Sequence, residues 1–409
     1  MNLATLFVIV SMFIDAMGFG LIAPVAPRLI MQLTGTDLAG AAPIAGYLMV
    51  AYALMQFLFA PVIGALSDRF GRRPVLLMSM AALALDYLLM SVAPTISWLF
   101  LGRIIAGIAG AIYPTANAAL SDLHPPEQRA RYFGLLGAAW GVGFIVGPAI
   151  GGLLAGFSTR TPFYVAAGLA AVNLVLGLSV FPETLAIALR RPFVVARANL
   201  IGALVQLRQH PGLPLLLGVI FLYQIAHDAL PSTWTFFSMR QFDWTPQQVG
   251  LSLAMVGLST AIVQGALIGP IIKRIGEARA VRYGFIAGAI SMAGYAFAPS
   301  GWMMYPLIAV GAFFGLAMPA MQSMMSREVS ANAQGELQGA MAGVQSISAV
   351  IAPLVMTQLF HWATRPTAVT AFPGAPMLLA AVMLTCAAIL FVYGMRRLAD
   401  SRVKAEVHG

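Results

Sequence analysis

The sequence is short of charge and almost free of cysteine. Only 9% of its 409 residues are Asp, Glu, Lys or Arg, against about 25% in an average soluble domain. Hydrophobic residues make up 60% of the chain, and the mean hydropathy is +0.86. This composition predicts a membrane protein. The single cysteine, Cys386, excludes a disulfide within the chain and a cysteine-based metal centre.

Other absences exclude whole classes of function. The phosphate-binding pattern GxxxxGK[ST] does not occur, and no long polar stretch offers a soluble domain, which argues against a primary ATPase. The five histidines and the isolated intramembrane acids are scattered, so they do not form the paired-aspartate, Ser/His or zinc constellation of an intramembrane protease. We therefore expect no enzyme activity, no bound metal and no cofactor.

Apolar runs long enough to cross a bilayer, about 20 residues each, follow one another along the chain. We place twelve of them, which predicts an all-α membrane protein. The first run begins almost at Met1, lacks a basic segment before it and contains Asp15, so we interpret it as a retained helix rather than a signal peptide. The predicted spans are 5–28, 41–65, 74–93, 97–118, 131–156, 162–181, 213–238, 246–272, 280–298, 302–325, 334–361 and 372–395.

The basic residues are distributed by loop. Most of the 23 Lys and Arg residues fall in alternate loops and in the C-terminal tail, and such loops stay on the cytoplasmic side. Both termini are therefore predicted to be cytoplasmic. Topology also accounts for the net charge of +9, so a nucleic-acid partner is not expected.

The chain also repeats itself. A constant shift of 205 residues carries Gly64 onto Gly269, and it brings further Gly, Pro, Arg and Ser positions into register. An even number of spans in each half makes the repeat parallel, the arrangement in which two halves rock around a midplane site. The predicted divisions are a bundle of six helices at 1–181, a linker at 182–212, a second six-helix bundle at 213–395 and a tail at 396–409.

The stretch GALSDRFGRRP, residues 64 to 74, lies between the second and third predicted spans. Glycine, acid and base stand at the spacing of the signature loop of the major facilitator superfamily, which this stretch resembles. In that family the acid lies against a helix end of the other half when the inside gate is shut. An alternative is that the arginines only follow the positive-inside rule. The predicted cytoplasmic gate comprises Gly64, Ser67, Asp68, Arg69, Gly71, Arg72, Arg73, Asp122 and Arg129.

The turn at the equivalent place in the second half differs in charge. It keeps Arg274 and Gly276, but Lys273 stands for Asp68 and Glu277 stands for Arg72. The signs are reversed, so the two turns need not do the same job.

The fifth predicted span carries glycines every four residues, which line one helix face and let another helix approach closely. Pro148 removes a backbone donor and bends the helix. The pattern resembles the glycine-proline signature of drug–proton antiporters and so favours export, although close packing alone explains it. Its residues are Gly143, Gly147, Pro148, Gly151 and Gly152.

Charged side chains inside apolar spans are costly and therefore indicate function. Asp15 and Asp86 lie roughly halfway along their spans at 1.5 Å per residue, where both can approach a central cavity. An acid that is exposed to alternate sides of a membrane can load and release a proton, whereas hydrogen bonding to a neighbouring helix is the alternative role. The predicted proton-coupling residues are Asp15, Asp86, Arg103, His227 and Asp228.

The runs IDAMGFGLIAPV, YALMQFLFAPVIGALSDRFGRRPVLL and MPAMQSMMSREVSANAQGELQG resemble the tetracycline efflux antiporters over nearly the whole chain. The resemblance implies proton-coupled efflux of a tetracycline-like amphipathic drug, alone or as a divalent-metal chelate, by a monomer in the bacterial inner membrane. Two positions depart from the family: Gly288 replaces an essential Asp, and Thr260 stands about where a proton-linked His is found. His227 and Asp228 are a candidate substitute pair, and export or import of a different amphipathic compound is the alternative function.

Amide and aromatic side chains on spans expected to face the centre suit a planar amphipathic substrate. Each of them is equally compatible with ordinary helix packing. The predicted substrate-binding residues are Tyr52, Gln56, Tyr113, Asn117, Trp140, Gln224, Trp234, Gln322 and Gln345.

Overall fold

The computed structural model describes residues 2–110, 112–190, 213–329, 334–368 and 370–408, without the side chains of 189 and 397–408. Most of the predicted linker, from residue 191 to residue 212, therefore lies outside the described residues. All regular structure within the described ranges is helical, which confirms the all-α prediction.

The first half begins with a broken helix. α1 ends at Ile22 and a new helix begins at Ala26 with Pro27 in its first turn. The fourth predicted span is also interrupted, at residues 109 and 110. The helices are α1 Leu3–Ile22, α2 Ala26–Thr34, α3 Leu38–Phe70, α4 Arg72–Val92, α5 Ile96–Ile108, α6 Ile112–Leu123, α7 Pro126–Leu154 and α8 Thr161–Val180.

The second half has irregular turns inside two of its spans. A π-helical turn occupies Val263–Leu267, and a 3-10 turn occupies Ala312–Leu316. The helices are α9 Leu213–Phe242, α10 Pro246–Ile262, α11 Ile268–Ile275, α12 Glu277–Phe297, α13 Met304–Gly311, α14 Ala317–Arg327, α15 Gln334–Thr364 and α16 Ala375–His408.

Within the described ranges, 11 helical segments are long and apolar enough to cross a membrane. They correspond to the predicted spans except for the ninth, at 280–298. That span is helical as α12, but it carries Glu277, Arg279 and Arg282 in its first turns. These charges lower the mean hydropathy of α12, which explains why it is not among the 11 segments.

The chain forms two compact units. The first unit comprises residues 1–198 and 238–257, and the second comprises 199–237 and 258–409. In the first unit, α1 packs against α7 and α8, and α4 packs against α5 and α8. In the second unit, α12 is central and packs against α14, α16 and the 3-10 turn. The division of the chain at residues 181 and 213 stays a prediction.

Candidate functional site

The turn between α3 and α4 depends on one glycine. Gly71 has a φ of 108°, which an L side chain rarely adopts, and its N–H donates to the carbonyl of Ser67 at 3.1 Å. A Cβ at this position would also overlap the carboxylate of Glu183. Backbone conformation and close approach therefore both require glycine here.

Arg72 is the centre of this turn. Its guanidinium donates to Asp68 Oδ1 at 2.7 Å, to Ser67 Oγ at 3.0 Å and to Asp122 Oδ2 at 3.1 Å. Asp122 also accepts from Thr184 Oγ1 at 3.4 Å. Because Asp122 lies at the end of α6, Arg72 joins the end of α3, the start of α4 and the end of α6.

Glu183 belongs to this turn as well, although sequence reasoning missed it. Its carboxylate accepts the backbone N–H of Arg72 at 2.8 Å and that of Arg73 at 3.3 Å, which are the first residues of α4. It also accepts the N–H of Leu185 at 2.9 Å. A carboxylate at a helix N-terminus satisfies free N–H groups and is favoured by the helix dipole. The residues that follow α8 thus fix the start of α4.

Other predicted gate residues lie apart from this cluster. Arg129 donates to the carbonyl of His124 at 3.1 Å, and Arg73 donates to the carbonyl of Leu178 at 2.7 Å. Arg69 lies 5.2 Å from the ring centroid of Phe70. Gly64 has open space where a Cβ would be, so packing in the structure does not explain that glycine.

The glycine face of α7 packs directly on α1. A Cβ at Gly147 would lie 2.6 Å from the carbonyl oxygen of Met17. Gly143 and Gly151, one turn to either side, approach the carbonyls of Phe13 and Leu21 in the same way. Glycines every four residues thus meet backbone carbonyls every four residues, and the predicted close packing is confirmed.

The remaining residues of this pattern also lie at close contacts. Pro148 packs against Gly20 beside the break between α1 and α2. Gly152 faces the start of α10, which belongs to the same unit: a Cβ there would lie 2.7 Å from the carbonyl oxygen of Pro246.

Asp86 and Arg103 form an ion pair inside the first unit. Arg103 Nε lies 3.3 Å from Asp86 Oδ1, and one terminal nitrogen of the same guanidinium bonds to the other carboxylate oxygen. The Asp86 side chain has no exposed surface. The ring of Tyr52 lies 5.9 Å from the Arg103 guanidinium carbon, a cation–π distance. The pair satisfies a charge that would otherwise be very costly at this depth.

Asp15 is in a different situation. Among the described residues, no cation and no hydrogen-bond donor pairs with its side chain. Its charge interacts electrostatically with Tyr52 and Tyr87, and the Tyr87 ring packs against Gly18 one turn along α1. Of the two carboxylates at the middle of predicted spans in the first unit, Asp86 is therefore neutralised and Asp15 has no counterion among the described residues.

In the second unit, His227 and Asp228 are adjacent on α9. His227 Nδ1 lies 3.4 Å from Asp228 Oδ1, and the imidazole stacks on Tyr223 with ring centroids 6.1 Å apart. Tyr223 in turn contacts Phe314 at 4.5 Å between ring centroids. The pair is thus attached to an aromatic cluster.

Phe314 also explains how the chain accommodates Gly288. A Cβ at Gly288 would lie 2.9 Å from Phe314 Cδ2 and 2.9 Å from Leu384 Cδ1. A carboxylate at this position would have to displace both side chains. The space that an acid needs on α12 is therefore filled by apolar atoms.

The predicted substrate-binding residues do not form one cluster. Gln56 donates to Tyr52 Oη at 3.3 Å and to the carbonyl of Gly110 at 2.9 Å, beside the break between α5 and α6. Trp140 is 40% exposed and stacks on Phe144 at 5.3 Å. Asn117 donates to the carbonyl of Tyr113, Gln322 donates to Gln338, Gln224 is partly buried, Gln345 is exposed, and Trp234 is buried against Tyr295.

Within the described ranges, His, Cys, Asp and Glu side chains do not come together in a group that could hold a metal ion. Carboxylates and an arginine at bilayer depth are features of proteins that move solutes or protons across membranes. By class, this multi-pass protein is a membrane transporter. The chain belongs to the Major Facilitator Superfamily, whose family model matches residues 8–353 and, in a second match, 240–406.

Several bacterial proteins are similar over most of their length. The class C tetracycline resistance protein of Escherichia coli is 40% identical, with 88% of this chain and 90% of that protein covered. The class G protein of Vibrio anguillarum is 39% identical, with 85% and 88% covered. Multidrug resistance protein 2 of Bacillus subtilis is 29% identical, with 84% of each chain covered.

Solved structures support the fold. The nucleoside transporter NupG superposes with a TM-score of 0.76 at 16% identity, covering 97% of this chain and 99% of that one. A D-xylose-proton symporter gives a TM-score of 0.74, also at 16% identity, covering 95% and 96%. The predicted major facilitator fold is thereby confirmed.

Proposed function

We propose that this protein exports a tetracycline-like amphipathic drug in exchange for protons, by the alternating access of its superfamily. The observation that carries the proposal is the contrast between two carboxylates of the first unit. Asp86 is neutralised by Arg103, whereas Asp15 has no counterion among the described residues. The tetracycline resistance proteins and the multidrug resistance protein to which the chain is similar support drugs as the substrates.

The chemistry follows from the cost of charge at bilayer depth. An ionised Asp15 needs water or a positively charged ligand to offset its charge, whereas a protonated Asp15 does not. Binding of a proton and exposure of the site are thereby coupled at one side chain. Asp86 and Arg103 pair with each other and hold α4 and α5 in position.

His227 and Asp228 form a second titratable pair in this proposal, since an acid on α12 is absent. If the pair takes part in coupling, Asp228→Asn lowers the rate of proton-driven transport. An unchanged rate in Asp228→Asn removes the pair from the mechanism and leaves the role of Asp15 intact.

The remaining parts of the proposal concern the setting. The protein works as a monomer in the bacterial inner membrane with both termini in the cytoplasm, and it moves its substrate without chemical change or bound cofactor. The cluster around Arg72 acts as a cytoplasmic gate element. The distribution of Lys and Arg residues by loop supports this orientation, and a bacterial membrane protein of this superfamily fits the location.

Inverted membrane vesicles test the function directly. Addition of tetracycline to energised vesicles is expected to release protons from the lumen and to accumulate the drug, while a chemically unrelated cation serves as a comparison substrate. Proton release with the unrelated cation alone would contradict the tetracycline-like specificity.

The same vesicles, assayed with and without Mg²⁺, decide the form in which the drug travels. Transport that requires the divalent ion supports a metal chelate as the substrate. Equal transport in both conditions shows that the drug is carried alone.

A further inference from the structure

A small cavity lies inside the first unit, bounded by α1, α4, α6 and α8. Its volume is about 10 Å³, room for about one water molecule. Three of its lining residues are polar, namely Ser11, Asp15 and Asn173, and the other five are apolar. The cavity thus brings the carboxyl group of Asp15 together with two side chains that the proposed function has not used.

The two uncharged polar residues are bonded to each other. Ser11 Oγ donates to Asn173 Oδ1 at 3.0 Å, and both residues are almost fully buried, at 2% and 4% exposure. Among the residues that the structure describes, the Asn173 amide nitrogen finds no acceptor. Because Asn173 lines the cavity, this nitrogen is a donor available to it.

A buried water molecule needs a polar site with two to four hydrogen-bonding partners. The hydroxyl of Ser11, the amide of Asn173 and the carboxyl of Asp15 supply three. Apolar side chains line the rest of the cavity. Size and polarity therefore agree on a single occupant.

We propose that Ser11 and Asn173 hold a water molecule against the Asp15 carboxyl group and act as positioning residues for its proton exchange. The water donates a hydrogen bond to Asp15 when the carboxylate is ionised and accepts the O–H when it is protonated. Asn173 and Ser11 orient the water in both states. The inference rests on Asp15 as the proton-exchanging group of the proposed function, and it assigns the site that stabilises its ionised form.

Few other titratable side chains of the described residues lie near the Asp15 carboxyl group. α7 and α8 contribute titratable side chains only in their first two turns, far along the helices from the cavity. Tyr52 and Tyr87 lie within electrostatic range of Asp15, while the Asp86–Arg103 pair is neutral as a unit. Asp122 lies at the far end of α6 from the cavity. The titratable residues of α3 to α6 nearest the cavity are Tyr52, Asp86, Tyr87, Arg103 and Tyr113.

Two substitutions test the water site. Asn173→Leu keeps the shape of the side chain and removes the amide, and Ser11→Ala removes only a hydroxyl, so it remains informative if the first variant folds poorly. Ser79→Ala is the matched control, because Ser79 is equally buried on α4 but does not line the cavity.

Loss of a hydrogen bond to the ionised carboxylate makes the proton harder to release. The midpoint of the pH profile for drug–proton exchange is therefore expected to move to higher pH by about one unit in Asn173→Leu and in the same direction in Ser11→Ala. Ser79→Ala is expected to keep the wild-type midpoint. Midpoints of both test variants equal to that of Ser79→Ala would overturn the proposal.

Infrared titration of the protonated carboxyl band measures the same midpoint without transport, the band of Asp15 being assigned by its loss in Asp15→Asn. A shifted band together with a shifted transport profile supports the water site. A shifted band with unchanged transport supports the water site but contradicts the role of Asp15 in coupling. An unshifted band in Ser11→Ala and Asn173→Leu, together with loss of coupling in Asp15→Asn, overturns the water site alone.

Discussion

The turn that follows α3 and the turn that follows α11 have a similar backbone but side chains of opposite charge. Gly71 and Gly276 both have positive φ, at 108° and 78°. The 205-residue shift carries Arg72 onto Glu277 and Asp122 onto Arg327. Arg72 pairs with Asp122 in the first unit, and Arg327 pairs with Glu277 in the second. Each half therefore places an ion pair between the corresponding two helices, with opposite polarity.

The difference in polarity has a consequence for the helix that follows each turn. α12 begins with Glu277, so it carries an acid in its own first turn, where the helix dipole favours one. α4 begins with two arginines at that place. Glu183 compensates by accepting the first N–H groups of α4. One half thus has its acid within the helix, and the other recruits it from the segment after α8.

The interiors of the two units also differ in their charged residues. The first unit contains Asp15 and the Asp86–Arg103 pair, whereas the corresponding part of α12 has Gly288 packed beneath Phe314 and Leu384. We expect the proton chemistry to depend mainly on the first unit. The variants below are ordered from the largest expected effect to the smallest.

Arg103→Ala is expected to lower the free energy of unfolding most, by about 3–5 kcal/mol, because it leaves the buried Asp86 without a counterion. Thermal unfolding in detergent measures the loss. Asp86→Asn/Arg103→Gln removes both charges and is expected to recover much of the stability. Wild-type stability in Arg103→Ala would show that the pair does not organise the first unit.

Gly147→Ala is expected to cost about 1–3 kcal/mol, since its Cβ would press on the Met17 carbonyl. Gly141→Ala is the matched control on the same helix, because Gly141 has open space around its Cα. The equivalent of Gly147 in the second half is Ala352 on α15. Equal unfolding midpoints for the two alanine variants would mean that the glycine face of α7 is not needed for packing on α1.

Glu183→Gln is expected to cost about 0.3–1 kcal/mol, because a neutral amide interacts less favourably with the start of α4 than a carboxylate does. Glu277→Gln probes the equivalent acid in the second unit, where loss of the ion pair with Arg327 adds to the effect. Amide hydrogen exchange of residues 72, 73, 75 and 76 measures the local opening of α4. Unchanged exchange in Glu183→Gln would exclude Glu183 as the compensating acid.

The reversal of Arg72 and Asp122 gives the smallest expected effect. Arg72→Glu and Asp122→Arg are each expected to impair transport, and the double variant is expected to recover part of it, with a coupling energy of up to about 1 kcal/mol. Adding Glu183→Gln removes the repulsion between Glu183 and the acid introduced at position 72. This change is expected to improve transport by the double variant further. A double variant no better than the worse single variant would mean that polarity does matter in the first turn.

Much of this organisation is predictable from local pattern. Hydropathy predicts the spans, and the signature pattern of residues 64–74 predicts the turn between α3 and α4. The four-residue period of Gly143, Gly147 and Gly151 predicts a helix face that another helix approaches. Each of these features depends on residues that are neighbours in sequence or one helical turn apart, so the pattern contains the information.

Contacts between distant segments are what the sequence does not reveal. Glu183 reaches the start of α4 across 111 residues, and Ser11 meets Asn173 across 162. A signal was available for the second pair, since Asn173 is a lone amide in the apolar run 162–181. Its partner depends on how α8 packs against α1, which helical periodicity alone does not determine.

The most direct test of the account is drug-induced proton movement in inverted vesicles that contain Asp15→Asn. We predict that tetracycline releases no protons from these vesicles, although the variant is expressed, folded and able to bind the drug. Proton release at the wild-type rate in Asp15→Asn would contradict the assignment of proton exchange to the first unit.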